Sequence, residues 1–294
     1  MYSVTIIGIG RVGSAFARAL PSSIYSIDHL VVRKMGQRIF GDDQVALDPQ
    51  VVEFSDLQEI DSDIVIISTQ DSEIANVVRE LVPLVSSYAH VFHTSGSLSS
   101  DVLEPLRLKG CGVGSIHPLV SVTRGEKAHE VFCDSYFCVE GDEKGVTIAT
   151  AVVIDIGGRP FTIDADKKSL YHASAVMACG HVVALLVASF EMMKQCGFDE
   201  QFAGQILMPL VASTIGNLNE MSSAEALTGP FARGDLNTVE RHLRALMAMP
   251  DHRLLDIYLL LGDRSLDLAE MQGIDPAVVR RLRDRISLAI SERK

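Results

Sequence analysis

Cysteine is scarce in this chain, and what there is forms no framework. Cys111, Cys133, Cys138, Cys179 and Cys196 include no C-x-x-C pair and no Cys/His spacing of the zinc kind, so no metal site is expected. An odd number of unframed thiols fits a reducing compartment, and the expected location is the cytoplasm. Positive charge is also short. The 26 Lys and Arg face 38 Asp and Glu, for a net charge of −12. Such a balance argues against the extended basic surface that tracks a nucleic acid backbone. No signal-peptide pattern is visible, because the apolar opening VTIIGIG is short, broken by glycine and without a basic leader. Internal repeats and low-complexity tracts are absent as well. One stretch, Ala173 to Phe190, carries no formal charge over 18 residues. A membrane span normally needs about 20 predominantly apolar residues. With Ser174, Gly180, His181 and Ser189 inside it, this stretch is expected to be a buried helix of a soluble protein.

What is present is an apolar fraction of 47% in 294 residues, enough for two packed domains. Short β-branched runs alternate with helical patterns in the first half. Strands are expected at Val4–Gly8, His29–Arg33, Val51–Phe54, Ile64–Ser68, His90–Thr94, Gly112–Ile116, Tyr136–Val139 and Arg159–Ile163. The run Val152–Ile156 reads as a helix end stopped by Gly157-Gly158. Beyond Asp164 the β signal disappears. Helices are expected over Asp166–Gln195, Asp199–Leu218, Asp235–Met247, His252–Met271 and Pro276–Glu292. The expected architecture is an α/β domain over residues 1–164, with a doubly wound, mostly parallel sheet, then an all-α domain over 165–294.

VTIIGIGRVGSAFARAL places Gly8, Gly10 and Gly13 as G-x-G-x-x-G, directly after a strand and opening a helix. Gly8 allows the tight turn, Gly10 lets the backbone approach a pyrophosphate, and Gly13 lets helix and strand pack closely. Arg11 and Val12 lie in the same loop. In that context the motif predicts a Rossmann-like dinucleotide site. An NAD site usually carries an acid about 20 residues beyond the glycines, bonding the ribose 2′-hydroxyl. That position is Arg33, followed by Lys34 and Arg38. A guanidinium there suits a 2′-phosphate, so the expected cofactor is NADP(H), with Arg11 adding to the same pocket. Charge is partitioned accordingly: residues 1–40 carry five Lys and Arg against Asp28 alone.

In such a sheet, ligands lie beyond the carboxyl ends of the strands. The segments there are STQD (Ser68–Asp71), HTSGS (His93–Ser97) and GSIHPL (Gly114–Leu119). Thr69 and Gln70 are expected to flank the middle of the cofactor. Ser95 and Gly96 should lie near the nicotinamide and bind the substrate, with His117 facing it, while Ser97 reads as an ordinary turn residue. A proton donor is sought in DKKSLYHASAVMACGH. Lys168 and His172, four residues apart, share a helix face, whereas His181 falls on the opposite face of a straight helix. Further on, LTGPFARGD breaks the helical pattern, with Asp235 as a cap and Arg233 available to an acidic substrate or a partner subunit.

The segments IIGIGRVG, HTSGS, GSIHPL, YHASAVMACGH and LTGPFARGD together resemble a family that joins a Rossmann-like NADP domain to an all-helical C-terminal domain of unknown function. That family lies in the wider 6-phosphogluconate dehydrogenase-like group, beside ketopantoate reductase, pyrroline-5-carboxylate reductase and the β-hydroxyacid dehydrogenases. Some of its members look like the alternative ketopantoate reductase. The resemblance implies a substrate pocket between the domains and a homodimer formed through the helices. It also implies that Lys168 to His172 stands where the wider group carries its catalytic Lys and Asn. Many members of the closer family carry Asn where this chain has Gly180, followed here by His181. The expected function is NADPH-dependent hydride transfer to a small 2-oxo acid or related carbonyl. In it His172 or Lys168 is the acid, and His117 or Arg233 orients the substrate. The alternatives are an imine reductase resembling pyrroline-5-carboxylate reductase and a non-catalytic NADP-binding regulatory protein.

Overall fold

The computed structural model describes residues 1–34, 50–122 and 130–292. It divides into two compact units, Met1–Val182 and Val183–Lys294. The first unit contains β1 (Tyr2–Ile7), α1 (Arg11–Ala19), β2 (Tyr25–Val32), β3 (Gln50–Glu53), β4 (Ile64–Ile67) and α2 (Asp71–Leu81). It continues through β5 (His90–His93), α3 (Glu104–Lys109), β6 (Gly112–Pro118), β7 (Tyr136–Gly141), α4 (Glu143–Asp155), β8 (Arg159–Thr162) and α5 (Lys168–Ala178). All eight expected strands form, in the order β3-β2-β1-β4-β5-β6-β7-β8. Every pairing is parallel except β6 with β7.

The strands are apolar on both faces because both faces are covered. Ile6, Ile64 and Ile66 pack with Phe16, Phe132, Phe137 and Val152 on one side. Ile7, Val65 and Ile67 pack with Ile74, Val78, Leu81, Leu103 and Leu106 on the other. The order reverses between β1 and β4, so the two strands lead helices to opposite faces and open a crevice at their carboxyl ends. The glycine loop follows β1 into that crevice. Val152–Ile156 indeed ends α4, and Gly157 takes φ of 80° just beyond it.

The division falls at Val182–Val183, later than residue 164. The opening of the long helical pattern is held to the strand ends, where Lys168 is buried. That pattern is also not one straight helix. A single turn at Ala165–Lys167 precedes α5, and Cys179 (φ −118°, ψ −75°) separates α5 from α6 (Gly180–Gln195).

The second unit takes most of α6 and continues with α7 (Glu200–Glu220), α8 (Ser223–Ala226), α9 (Gly229–Ala232), α10 (Leu236–Met247), α11 (His252–Met271) and α12 (Pro276–Glu292). Its core joins Val239 and Leu243 of α10 to Leu255, Leu259 and Leu266 of α11 and Val279, Leu282 and Ile286 of α12. Asp235 caps α10 by accepting from the Thr238 amide at 3.0 Å, and Asp275 accepts from Ala277 at 2.8 Å before α12.

One expectation is overturned. From Ala173 to Phe190 only Ala188 is buried, while Val176, Met177, Val183, Leu185 and Val187 are exposed. The apolar side chains run around α5 and α6, and one copy of the chain does not cover them. In α7, Phe202, Ile206, Met208, Leu210, Ile215 and Leu218 are exposed as well. By length and composition alone, Ala165–Gln195 would reach across a membrane.

The glycine loop makes a sharp test of the first unit. A Cβ at Gly13 would stand 2.0 Å from the Gly8 carbonyl oxygen, and Gly8 itself holds φ of 89°. Gly13→Ala should therefore cost about 1–3 kcal/mol, read as a lowered Tm in thermal unfolding. An unchanged Tm would mean that the loop does not hold this packing.

Candidate functional site

Two clefts open at the carboxyl ends of the strands of the first unit. The larger, of about 1010 Å³, is lined by Gly8, Gly10, Val32, Arg33, Ser68, Thr69, Gln70, Glu73 and neighbouring residues. The smaller, of about 430 Å³, is lined by Gly10, Arg11, Val12, Thr69, Gln70, Asp71, Ser95, Gly96, His117 and His172, among others. They share Gly10 and the Ser68–Gln70 segment, so the glycine loop borders both.

The donor set suits a dinucleotide. Nothing lies within 4 Å of a Cβ placed on Gly10, which leaves the backbone there open to a ligand. Gly10 also precedes the first turn of α1, which holds no acidic residue to oppose an anion. Thr69 Oγ1 is buried without a hydrogen-bond partner among the described residues. Arg33 lines the larger cleft, where its Nη1 donates to Glu73 Oε2 at 2.8 Å. Arg11 lines the smaller cleft instead of the Arg33 pocket, with Nη1 donating to the Val122 carbonyl at 3.4 Å. Lys34 is exposed, and Arg38 lies outside the described residues.

The smaller cleft is built around the turn after β5. Ser95 Oγ donates to Asp71 Oδ2 at 2.7 Å and accepts from the amides of Ser97 and Leu98 at 3.2 and 3.1 Å. Its own amide donates to His93 Nδ1 at 3.2 Å. That bond fixes the His93 tautomer, so Nε2 carries the proton and donates to the Ser99 carbonyl at 3.1 Å. The Ser95 hydroxyl, expected to meet substrate, is therefore committed to its own turn. Ser97, read as an ordinary turn residue, also bonds Asp71.

Lys168 begins α5 and is 1% exposed. Its Nζ donates to the Ser95 carbonyl at 3.2 Å and to Ser115 Oγ at 2.7 Å. Ser115 Oγ in turn donates to the buried Glu140 Oε2 at 3.4 Å, a carboxylate that also accepts from the Ser100 amide and hydroxyl. Burial lowers the Lys168 pKa, and Cys138, Glu140 and Asp71 act against that shift. The side chain lines neither cleft.

One helical turn later, α5 presents Tyr171 and His172. Tyr171 Oη lies 2.8 Å from His117 Nδ1, and the His117 and His172 rings meet edge to face with centroids 5.4 Å apart. A Cβ on Gly96 would stand 2.3 Å from His172 Nδ1 and 2.7 Å from His117 Nε2. Only glycine lets two imidazoles close over this turn. His172 Nδ1 is buried and has no hydrogen-bond partner among the described residues. Burial, then Lys168 and His172, pull the His117 pKa down to about 4, so the ring is neutral near pH 7. His181 follows the break at Cys179, is exposed and lines neither cleft. Gly180 has open space where a side chain would stand. Arg233 belongs to the second unit, where it caps the end of α9.

Sequence reasoning brought together His117, Gly96 and His172, but assigned no role to Tyr171, Asp71, His93, Ser115 or Glu140. Asp71 and His93 stood inside the quoted loop segments, and their partners depend on how the strands align. Glu140 comes opposite Ser115 only through the antiparallel register of β6 and β7.

Burial also sets a pH response. His93 and His117 both titrate near 4 in the folded protein, below their usual 6.5. Folding is thus favoured by these neutral rings above pH 6.5, and the benefit is lost as pH falls toward 4. Each should contribute a slope of up to about 1.4 kcal/mol per pH unit in that window. Urea unfolding from pH 7 to pH 5 should show falling stability, with a shallower fall in His93→Gln. Identical slopes in the two proteins would refute the assignment.

Comparison with known proteins places these features in two matched regions. Residues 1–118 match a Rossmann-like domain, and residues 135–265 match a domain of unknown function, DUF2520. No curated protein matches the chain. Among solved structures, protein TM1727 from Thermotoga maritima is similar at 26% identity and a TM-score of 0.72, covering 92% of this chain and 99% of its own. A Bacteroides fragilis protein named provisionally as an NADP oxidoreductase has 22% identity and a TM-score of 0.71, over 90% of this chain and 98% of that one. Pyrroline carboxylate reductase from Plasmodium falciparum, solved with NADP bound, has 10% identity and a TM-score of 0.56, over 91% and 98%. Such likenesses show a shared fold: a Rossmann-like parallel sheet followed by a helical region.

Proposed function

We propose that the protein is an NADPH-dependent reductase acting on a small 2-oxo acid or related carbonyl, with ketopantoate as the first substrate to try. The observation that carries this reading is the convergence of His172 Nδ1 and His117 Nε2 over Gly96, in a cleft that continues from the glycine loop. NADP(H) would supply the hydride. Gly8, Gly10, Val12, Gly13, Thr69 and Gln70 would hold it, and Arg33 would face the 2′-phosphate. The fold is shared with the protein provisionally named an NADP oxidoreductase and with a pyrroline carboxylate reductase solved with NADP bound, which supports this choice of cofactor.

Reducing a carbonyl builds negative charge on oxygen, which needs a positioned proton donor. His172 serves, because its buried Nδ1 has no hydrogen-bond partner among the described residues. His117 is neutral, is held by Tyr171 and orients the same oxygen by hydrogen bonding. Arg11, on the wall of the smaller cleft, suits the substrate carboxylate. Lys168 is a positioning residue here: its Nζ already donates to Ser95 and Ser115, which keeps the Gly96 turn in place. The active form is a homodimer in the cytoplasm, where the five free thiols stay reduced. A second copy would cover the exposed apolar faces of α6 and α7, where the Ser189 and Thr214 hydroxyls donate to carbonyls of their own helices.

Purified protein should oxidise NADPH with at least one member of a panel of 2-oxo acids and cyclic imines. His172→Asn should lower kcat about 10²–10⁴-fold while NADPH binding persists. Full turnover in that variant would remove His172 as the donor. Turnover of cyclic imines alone would favour an imine reductase, and NADPH binding with no turnover would favour a regulatory protein. Sedimentation of the wild type should give twice the chain mass, and Leu185→Glu with Leu210→Glu should give the monomer. A monomeric wild type would overturn the dimer.

A further inference from the structure

The larger cleft carries a charge that a simple 2′-phosphate site does not call for. Arg33 follows the carboxyl end of β2, where the ribose of a dinucleotide would be read. Its guanidinium is already engaged, with Nη1 donating to Glu73 Oε2 at 2.8 Å. Glu73 lies in the first turn of α2, and Glu80 follows it by seven residues. At 100° per residue, these two carboxylates stand within about 20° of one helix face. Both line the cleft, and among the described residues lining it Arg33 is the one cation. The pair is an exposed one, with side chains 72% and 33% accessible, and such pairs are weak enough for a ligand to displace.

We propose that Glu73 is a specificity-determining residue of this cleft, competing with a ligand phosphate for Arg33 and thereby admitting the non-phosphorylated dinucleotide as well. The physical argument has two parts. A 2′-phosphate approaching Arg33 must displace or repel the Glu73 carboxylate, which costs affinity. A 2′-hydroxyl in the same place can donate to Glu73, so NADH gains the acceptor that Arg33 cannot offer. The arrangement divides between two residues the job that one acid at the end of β2 usually performs. This inference rests on the reading of the cleft as a dinucleotide site.

The test is calorimetric titration of wild type, Glu73→Gln, Arg33→Ala and the double variant with NADPH and with NADH. Arg33 is exposed and Glu73 half-buried, and neither belongs to the packed core. Glu73→Gln should tighten NADPH about two- to fivefold, the range expected for relief of an exposed ion pair. It should weaken NADH, whose 2′-hydroxyl then meets a neutral amide instead of a carboxylate, and an unchanged NADH affinity would remove that contact. In the Arg33→Ala background the gain for NADPH should shrink. An NADPH affinity unchanged or weakened by Glu73→Gln overturns the proposal while leaving the dinucleotide reading intact. Wild-type protein that binds neither dinucleotide overturns both.

Discussion

The amino group of Lys168 sits where water does not reach it, and the arrangement around it follows from that position. A buried donor must be met by acceptors, and here the Ser95 carbonyl and the Ser115 hydroxyl meet it. Ser95 belongs to the turn after β5, Ser115 to β6, and Lys168 to the first turn of α5. Three segments far apart in sequence are thereby tied at one point. Glu140 supplies the counter-charge through Ser115, and its carboxylate also holds the Ser100 amide. Removing a member of such a set leaves the others buried without partners, so the set acts as a unit.

From that anchor the rest of the smaller cleft can be read along α5. One turn beyond Lys168, Tyr171 and His172 are brought to β6 and to the Gly96 turn. The close approach of His117 and His172 requires a residue without a side chain between them, and Gly96 meets that requirement. Asp71, at the start of α2, fixes the same turn from the other side through Ser95 and Ser97. The chemistry proposed for His172 therefore depends also on Lys168 and Ser115, which line neither cleft.

Much of this was legible before the fold was known. The strand runs were apolar enough to be recognised because both sheet faces are covered. The G-x-G-x-x-G spacing, lying between a strand and a helix, marked the crevice. Asp235 and Asp275 announced the helices that follow them. Other readings failed for physical reasons. The uncharged stretch from Ala173 to Phe190 looked like a buried helix, since composition records which side chains avoid water but not what shields them. Lys168 and His172 looked equivalent because they share a helix face. Depth along that face separates them, leaving one against the strand ends and the other at the cleft.

Local chemistry in the sequence determined which elements form and where the glycine turn stands. It also set the charge contrast between the first 40 residues and the remainder. These depend on near neighbours: periodicity, capping side chains, and glycine where the backbone must turn or approach closely. The tertiary structure alone decided that Ser95 is spent on its own turn and that Arg11 and Arg33 face different clefts. It also decided that Glu73 reaches Arg33 and that Glu140 stands opposite Ser115. Each of these pairings joins residues from separate elements, and strand order and register set their distance. Hydrogen bonds and charge pairs act over a few ångströms, so the fold had to exist before they could be read.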